Sequence, residues 1–305
     1  MGTTYLDLVS KGKNRRLRYL AALLLIFFFW LIIGSIPLTV VQLFFAVRGE
    51  SAQPVAGSAL LPGVHPLVSY LLLSFSFVAF FIGIWLAVRW IHRRPLITLI
   101  DPAGRMDWGR ALQGFALWLG LSAAVSLAEA LLYPGRYLFT FDPARFLLFL
   151  PFVLVLTPVQ TSAEELFFRG YLIQAGGLIS RNPAFLIFLS GFLFALPHAA
   201  NPEVASSFVL VMLYYFGFGA FMAWLTLRDN RLELALGVHA ANNLFAASIA
   251  NYVNSPLPTP SIFTSQYIDP VYNLAGWLAA ALVFILVFFF RESRTPAGTD
   301  QIAGS

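Results

Sequence analysis

The sequence is built from long apolar stretches separated by short polar breaks. Eight stretches stand out, at about residues 19–47, 67–91, 111–133, 145–175, 183–198, 205–227, 232–251 and 271–290. Roughly 20 apolar residues in helical form cross the hydrocarbon of a bilayer. The pattern therefore predicts an all-α, polytopic transmembrane helical bundle of about eight spans. The fourth is longer than one crossing needs and the fifth slightly short. No internal repeat and no separate soluble domain interrupts the series. The expected organisation is a three-span N-terminal region (1–144), a core (145–251), and an outer loop, last span and tail (252–305).

Charge orients this array. With the N-terminus inside, only Arg48, Arg136 and Arg145 of the 19 Lys and Arg residues fall in outer segments, which leaves 16 inside. Such a bias places both termini in the cytoplasm. The opening "KGKNRRLRYLAALLLIFFFWLII" has the basic-then-apolar order of a signal peptide. Its apolar run is too long, however, and no small-residue cleavage site follows, so a retained first span is expected. Leu6 stands where a myristoylation signal needs Ser or Thr.

Composition agrees with a membrane protein: 59% hydrophobic, 11% charged, mean hydropathy +0.78. The pI of about 9.6 does not point to nucleic acid, because the basic residues edge the apolar runs. The chain has no cysteine, which removes disulfides, thiolate metal sites, a cysteine nucleophile and prenylation of the chain itself. Two loops are unusual. "PLITLIDPAGRMDWGR" (95–110) is expected along the inner interface, and the proline-rich "NSPLPTPSIFTSQYIDP" (254–270) as an outer cap or a substrate-gating loop.

Ionisable groups within spans are costly and mark function or pairing. Here they are Glu129, Glu164, Glu165, Arg169, His198 and His239, with Asn242 and Asn243 beside the last. His65, in the outer loop, and His92, at the inner edge of span two, are expected to be structural. Glu165 and Arg169, four apart, share a helix face and can pair. Glu164 is turned about 100° away and can face a cavity, unless all three form a buried structural cluster. Phe194 and His198 share a face, with Pro197 loosening the helix just before the histidine. His239 and Asn243 share another face, fit either to polarise a carbonyl or to serve as interhelical glue. Glu129 is either a structural acid or a partner of one histidine. If spans four and five turn near "SRNP", Glu164 and His198 are each 17 residues from Arg181 and lie level. A site in the inner half, reached from the cytoplasm, is expected.

Together "EELFFR", "FALPH" and "HAANN" resemble the EExxxR, FxxxH and HxxxN motifs of the CPBP intramembrane proteases, over about residues 145 to 250. That family includes the CAAX prenyl endopeptidases and bacterial proteins linked to bacteriocin processing or self-immunity. The resemblance implies an intramembrane endopeptidase with Glu164 as general base and His198 beside it. His239 and Asn243 would stabilise the oxyanion, and Glu165, Arg169 and Phe194 would support them.

Hydrolysis without a Ser, Cys or Thr nucleophile needs an activated water. Glu164, His198 and His239 also form a possible zinc set, and the family carries a metalloprotease label, although HExxH is absent. The expected substrate is a membrane-embedded or lipidated peptide, and the expected location a prokaryotic plasma membrane. Two other functions compete: a catalytically silent immunity or scaffold protein of the same fold, and a transporter with a proton relay. The missing repeat speaks against the transporter.

Overall fold

In a bilayer a helix satisfies each backbone N–H and C=O within its own segment, so apolar runs fold as rods. The computed structural model describes residues 4–50, 60–253, 255–257 and 259–290. Among them are eight rods: α1 (Arg16–Val47), α2 (Pro66–Ile91), α3 (Trp108–Leu132), α4 (Pro143–Gly176), α5 (Pro183–His198), α6 (Phe208–Asp229), α7 (Glu233–Ser248) and α8 (Pro270–Phe289). Six are long and apolar enough to cross a membrane. The other two, α5 and α7, have 16 residues each. Arg291, Arg294 and the rest of the C-terminal tail lie outside the described residues.

The helix starts follow from local chemistry. At α4, α5 and α8 an Asp or Asn precedes a proline, and Asp142, Asn182 and Asp269 each accept backbone N–H bonds from the first turn. Proline is preset for the first helical position, where its missing N–H costs nothing. Three rods widen locally into π-helix, at Phe28–Ile33, Ala87–Ile91 and Leu166–Tyr171. The last of these follows Glu164 and Glu165 directly.

The fold is mostly helical but not all-α. β1 (Tyr137–Phe139) pairs antiparallel with β3 (Phe263–Ser265), which pairs parallel with β2 (Ala250–Tyr252). Strands of three residues are too short to leave a period-two signal. The sheet forms one end of the bundle, and the proline-rich loop contributes its central strand.

The opposite end gathers the N-terminal segment and the turns after α2, α4 and α6. Tyr5 N–H donates to Asn230 Oδ1 (2.6 Å), and Lys13 N–H to the His92 carbonyl (2.8 Å). Arg94 donates to Gln174 Oε1 (2.6 Å) and to the Leu8 carbonyl (3.2 Å). His92 is locked between the Lys13 carbonyl and the Tyr171 hydroxyl, 2.9 Å from each. His65 accepts from Leu67 N–H at the start of α2 (3.2 Å). Neither belongs to the site below.

Helix packing relies on small residues at close approaches. A Cβ at Gly237 on α7 would lie 2.0 Å from the Ala111 carbonyl oxygen on α3. One at Gly219 on α6 would lie 2.9 Å from the Gly191 Cα on α5. The outward faces are apolar: Leu112, Leu127 and Leu131 on α3 are 65%, 61% and 72% exposed, as suits a lipid-facing wall rather than water.

Candidate active site

The bundle is charged at its centre. Glu165 and Arg169 are fully buried, and Arg169 Nη1 donates to Glu165 Oε1 at 2.9 Å. Nη2 of the arginine donates to the Gly219 carbonyl at 3.2 Å, and its guanidinium lies 4.3 Å from the centre of the Phe194 ring. A buried ion pair needs such extra contacts to offset desolvation.

Glu165 has a second partner. Its Oε1 lies 2.6 Å from His239 Nδ1, while His239 Nε2 lies 3.6 Å from Glu164 Oε2. The imidazole thus stands between two adjacent carboxylates of α4. It is held directly by one and is beyond direct hydrogen-bond reach of the other.

His198 closes α5. Its Nδ1 lies 2.8 Å from the Phe194 carbonyl. A carbonyl only accepts, so Nδ1 carries a proton, and in the neutral imidazole Nε2 keeps its lone pair. The ring stacks on Tyr215 (4.2 Å) and packs on Phe194 (4.6 Å). Phe194 also meets His239 at 5.8 Å, so one phenyl ring spaces the two imidazoles.

Asn243 is oriented by a short relay. The Trp118 indole N–H, which can only donate, bonds to Asn242 Oδ1 at 3.3 Å. That turns Asn242 Nδ2 toward Asn243 Oδ1, 3.2 Å away, and leaves the Asn243 amide hydrogens facing elsewhere. Adjacency in "HAANN" was the only sequence signal for Asn242.

Glu164, His198, His239 and Asn243 all line one cavity of about 900 Å³. Its walls continue through Trp30–Leu38 of α1, Ser69–Phe77 of α2, Pro270–Ala280 of α8 and strand β2, the stretches that lead to the sheet. Access from the basic end, expected from the sequence, is not what forms. That end is filled by Leu99, Met222, Leu225 and Leu234, each 0% exposed. Glu129 is a structural acid near the sheet, accepting from Arg136 (2.7 Å) and the Tyr137 hydroxyl (2.7 Å); its bonds are not to either histidine.

Among the further polar residues that line the cavity without a sequence motif are Asn201, Glu203 and Tyr215. Glu203 escapes a search of apolar runs because it falls in the break between the fifth and sixth.

Zinc can be tested against the donor set. The 3.6 Å between His239 and Glu164 would suit two ligands of one ion. Yet among the described residues no three His, Asp or Glu side chains are gathered to hold a metal. The set Glu164, His198 and His239 does not close as a zinc site, so no chemistry is assigned to one.

A polytopic helical membrane protein whose central cavity gathers polar side chains from α4, α5 and α7 is thus defined by fold and site. The family model described as "Type II CAAX prenyl endopeptidase Rce1-like" matches residues 143–245, which span α4 to α7. A Bacillus subtilis (strain 168) protein named "Uncharacterized protein YyaK" is 35% identical over 289 residues, covering 93% of this chain and 96% of that protein. No solved structure matches the chain. The chain belongs to the Rce1-like, CAAX-endopeptidase family of membrane proteins.

Proposed function

We propose that the protein is an intramembrane endopeptidase in which Glu164 activates the attacking water. The observation that carries this is the convergence of Glu164, His198, His239 and Asn243 on one cavity within an apolar bundle. Glu164 takes a proton as the water oxygen bonds to the scissile carbonyl carbon. The Nε2 lone pair of His198 accepts from the same water and aims it. The oxyanion receives N–H groups from Asn243 and from His239. As the C–N bond breaks, Glu164 returns the proton to the leaving amine. Glu165 and Arg169 hold His239 in register and do not touch substrate.

The protein crosses the membrane eight times, with both termini in the cytoplasm of a prokaryotic cell. Residues 145–251 form the catalytic core, held by the three spans before it and the one after it. The substrate is a membrane-embedded or lipidated peptide that enters from the sheet end, where the cavity walls lead. Both the wall composition and the filled basic end support that route.

The test is Glu164→Gln in proteoliposomes, with substrates drawn from comparing membrane peptides of cells with and without the protein. The variant should lose turnover and keep its thermal melting. Full cleavage by the variant would remove Glu164 as the base. Binding without cleavage by the unaltered protein would favour the silent immunity or scaffold role.

A further inference from the structure

Glu203 is a second polar centre of the cavity, and the hydrolytic scheme does not use it. It lies on the turn Pro202–Ala205 just after His198 and is 8% exposed. Its Oε1 accepts from Asn201 Nδ2 (3.0 Å) and from the Tyr215 hydroxyl. Asn201 Nδ2 also lies 2.9 Å from the Tyr215 hydroxyl, which closes a triangle. Oε2 is buried and makes no hydrogen bond of good geometry, with the Tyr252 hydroxyl the further polar group beside the carboxylate.

Charge sharpens the point. Among the described residues the lining includes four carboxylates, Glu129, Glu164, Glu203 and Asp269, and no Lys or Arg. Arg136 lies against Glu129 (2.7 Å) and Asp269 (3.7 Å), and His239 faces Glu164 (3.6 Å). Among the described residues Glu203 takes part in no ion pair. A buried carboxylate with one unbonded oxygen and no counter-ion is costly to keep charged, and a proton or an arriving cation relieves that cost. Low-dielectric walls of one sign also concentrate ligands of the opposite sign.

We propose that Glu203 anchors a cationic side chain of the peptide in this cavity, selecting apolar peptides that carry a lysine or arginine close to the scissile bond. This rests on the endopeptidase reading of the same cavity. Proximity to the bond follows from contact: the hydroxyl that holds Glu203 belongs to Tyr215, whose ring stacks on His198. Tyr214 and Tyr252 add aromatic wall, which also attracts cations.

The competing role is purely structural, with Glu203 fixing the Tyr215 ring against His198. That role predicts equal losses for every peptide. The experiment uses the full-length protein in liposomes and pairs of acylated, internally quenched apolar peptides. Each pair differs at one position, lysine against norleucine, and the position is walked along the chain. Binding is read by fluorescence anisotropy in Glu164→Gln protein, and cleavage in the unaltered protein.

Lysine should bind about tenfold tighter at one or two adjacent positions, as a charged hydrogen bond allows. Glu203→Gln, which keeps the Oε1 acceptor, should erase that preference and leave norleucine binding unchanged. In protein with Glu203 intact, glutamate at the same position should bind more weakly than norleucine, a readout that needs no variant of Glu203. Equal binding within every pair, or a preference that survives Glu203→Gln, overturns the anchor even if cleavage occurs. A lysine preference in binding, with no cleavage of any peptide, leaves the anchor standing and removes the hydrolytic reading instead.

Discussion

Glu165 Oε1 lies 2.6 Å from His239 Nδ1, so a single carboxylate oxygen joins α4 to α7 in the middle of the bundle. The same oxygen accepts from Arg169 at 2.9 Å. Arg169→Met leaves Glu165 buried and without its cation. Breaking such a pair from one side costs about 3–5 kcal/mol, to be read from unfolding in detergent. Adding Glu165→Gln to Arg169→Met should recover part of that loss, because the uncompensated charge is gone. A double variant that unfolds as the sum of the singles would mean that the two side chains act independently.

The Trp118–Asn242–Asn243 relay makes a kinetic prediction. On the proposed mechanism Asn243→Ala removes an oxyanion donor and should lower kcat by about 10²–10³-fold. Asn242→Ala and Trp118→Phe leave that donor in place but free its amide to turn, and each should lower kcat by roughly tenfold with little change in KM. Combined, these two should cost no more than either alone, since each breaks the same chain of bonds. Additive losses would show that the tryptophan acts through packing instead.

Much of this site was legible because membrane burial makes polar residues conspicuous. Glu164, Glu165, Arg169, His198 and His239 stand out against apolar neighbours, and four-residue spacing placed Glu165 with Arg169. The span rhythm likewise located all eight rods to within a few residues. Helical spacing within α4 could not reveal that Glu165 reaches His239, because that contact crosses 74 residues of chain. Nor could it show the π turn after Glu165. The sheet was hidden by strands of three residues, and Glu203 by its place in a polar break. The direction of the cavity depends on which end the core fills, which hydropathy does not encode.

Gly237 tests how tightly α7 must approach α3. A Cβ there would sit 2.0 Å from the Ala111 carbonyl oxygen and 2.8 Å from Phe115 N, both backbone atoms that cannot step aside. Gly237→Ala should therefore force α7 outward and shift His239, two residues on. The expected loss is about 1–3 kcal/mol, typical of overpacking, together with lower activity. Gly120→Ala on α3 is the control. Its Cβ would meet nothing within 4 Å, so helix propensity should stabilise it by up to about 1 kcal/mol. Melting of the two variants side by side separates the steric effect from the propensity effect.

The absence of cysteine from the chain makes orientation and cavity access directly measurable. Ser126, near the sheet end of α3, lines the cavity, whereas Lys11 belongs to the segment that docks at the basic end. Single Ser126→Cys and Lys11→Cys variants are treated with a membrane-impermeant maleimide, first on intact cells and then after permeabilisation. With the basic end in the cytoplasm, Ser126→Cys should react in intact cells and Lys11→Cys only once the membrane is opened. The reverse pattern would invert the topology while keeping the cavity on the sheet side. Labelling of both positions from the same side would mean that water reaches the cavity through the basic end, and the packing of Leu99, Met222 and Leu234 that closes it would have to open in the membrane.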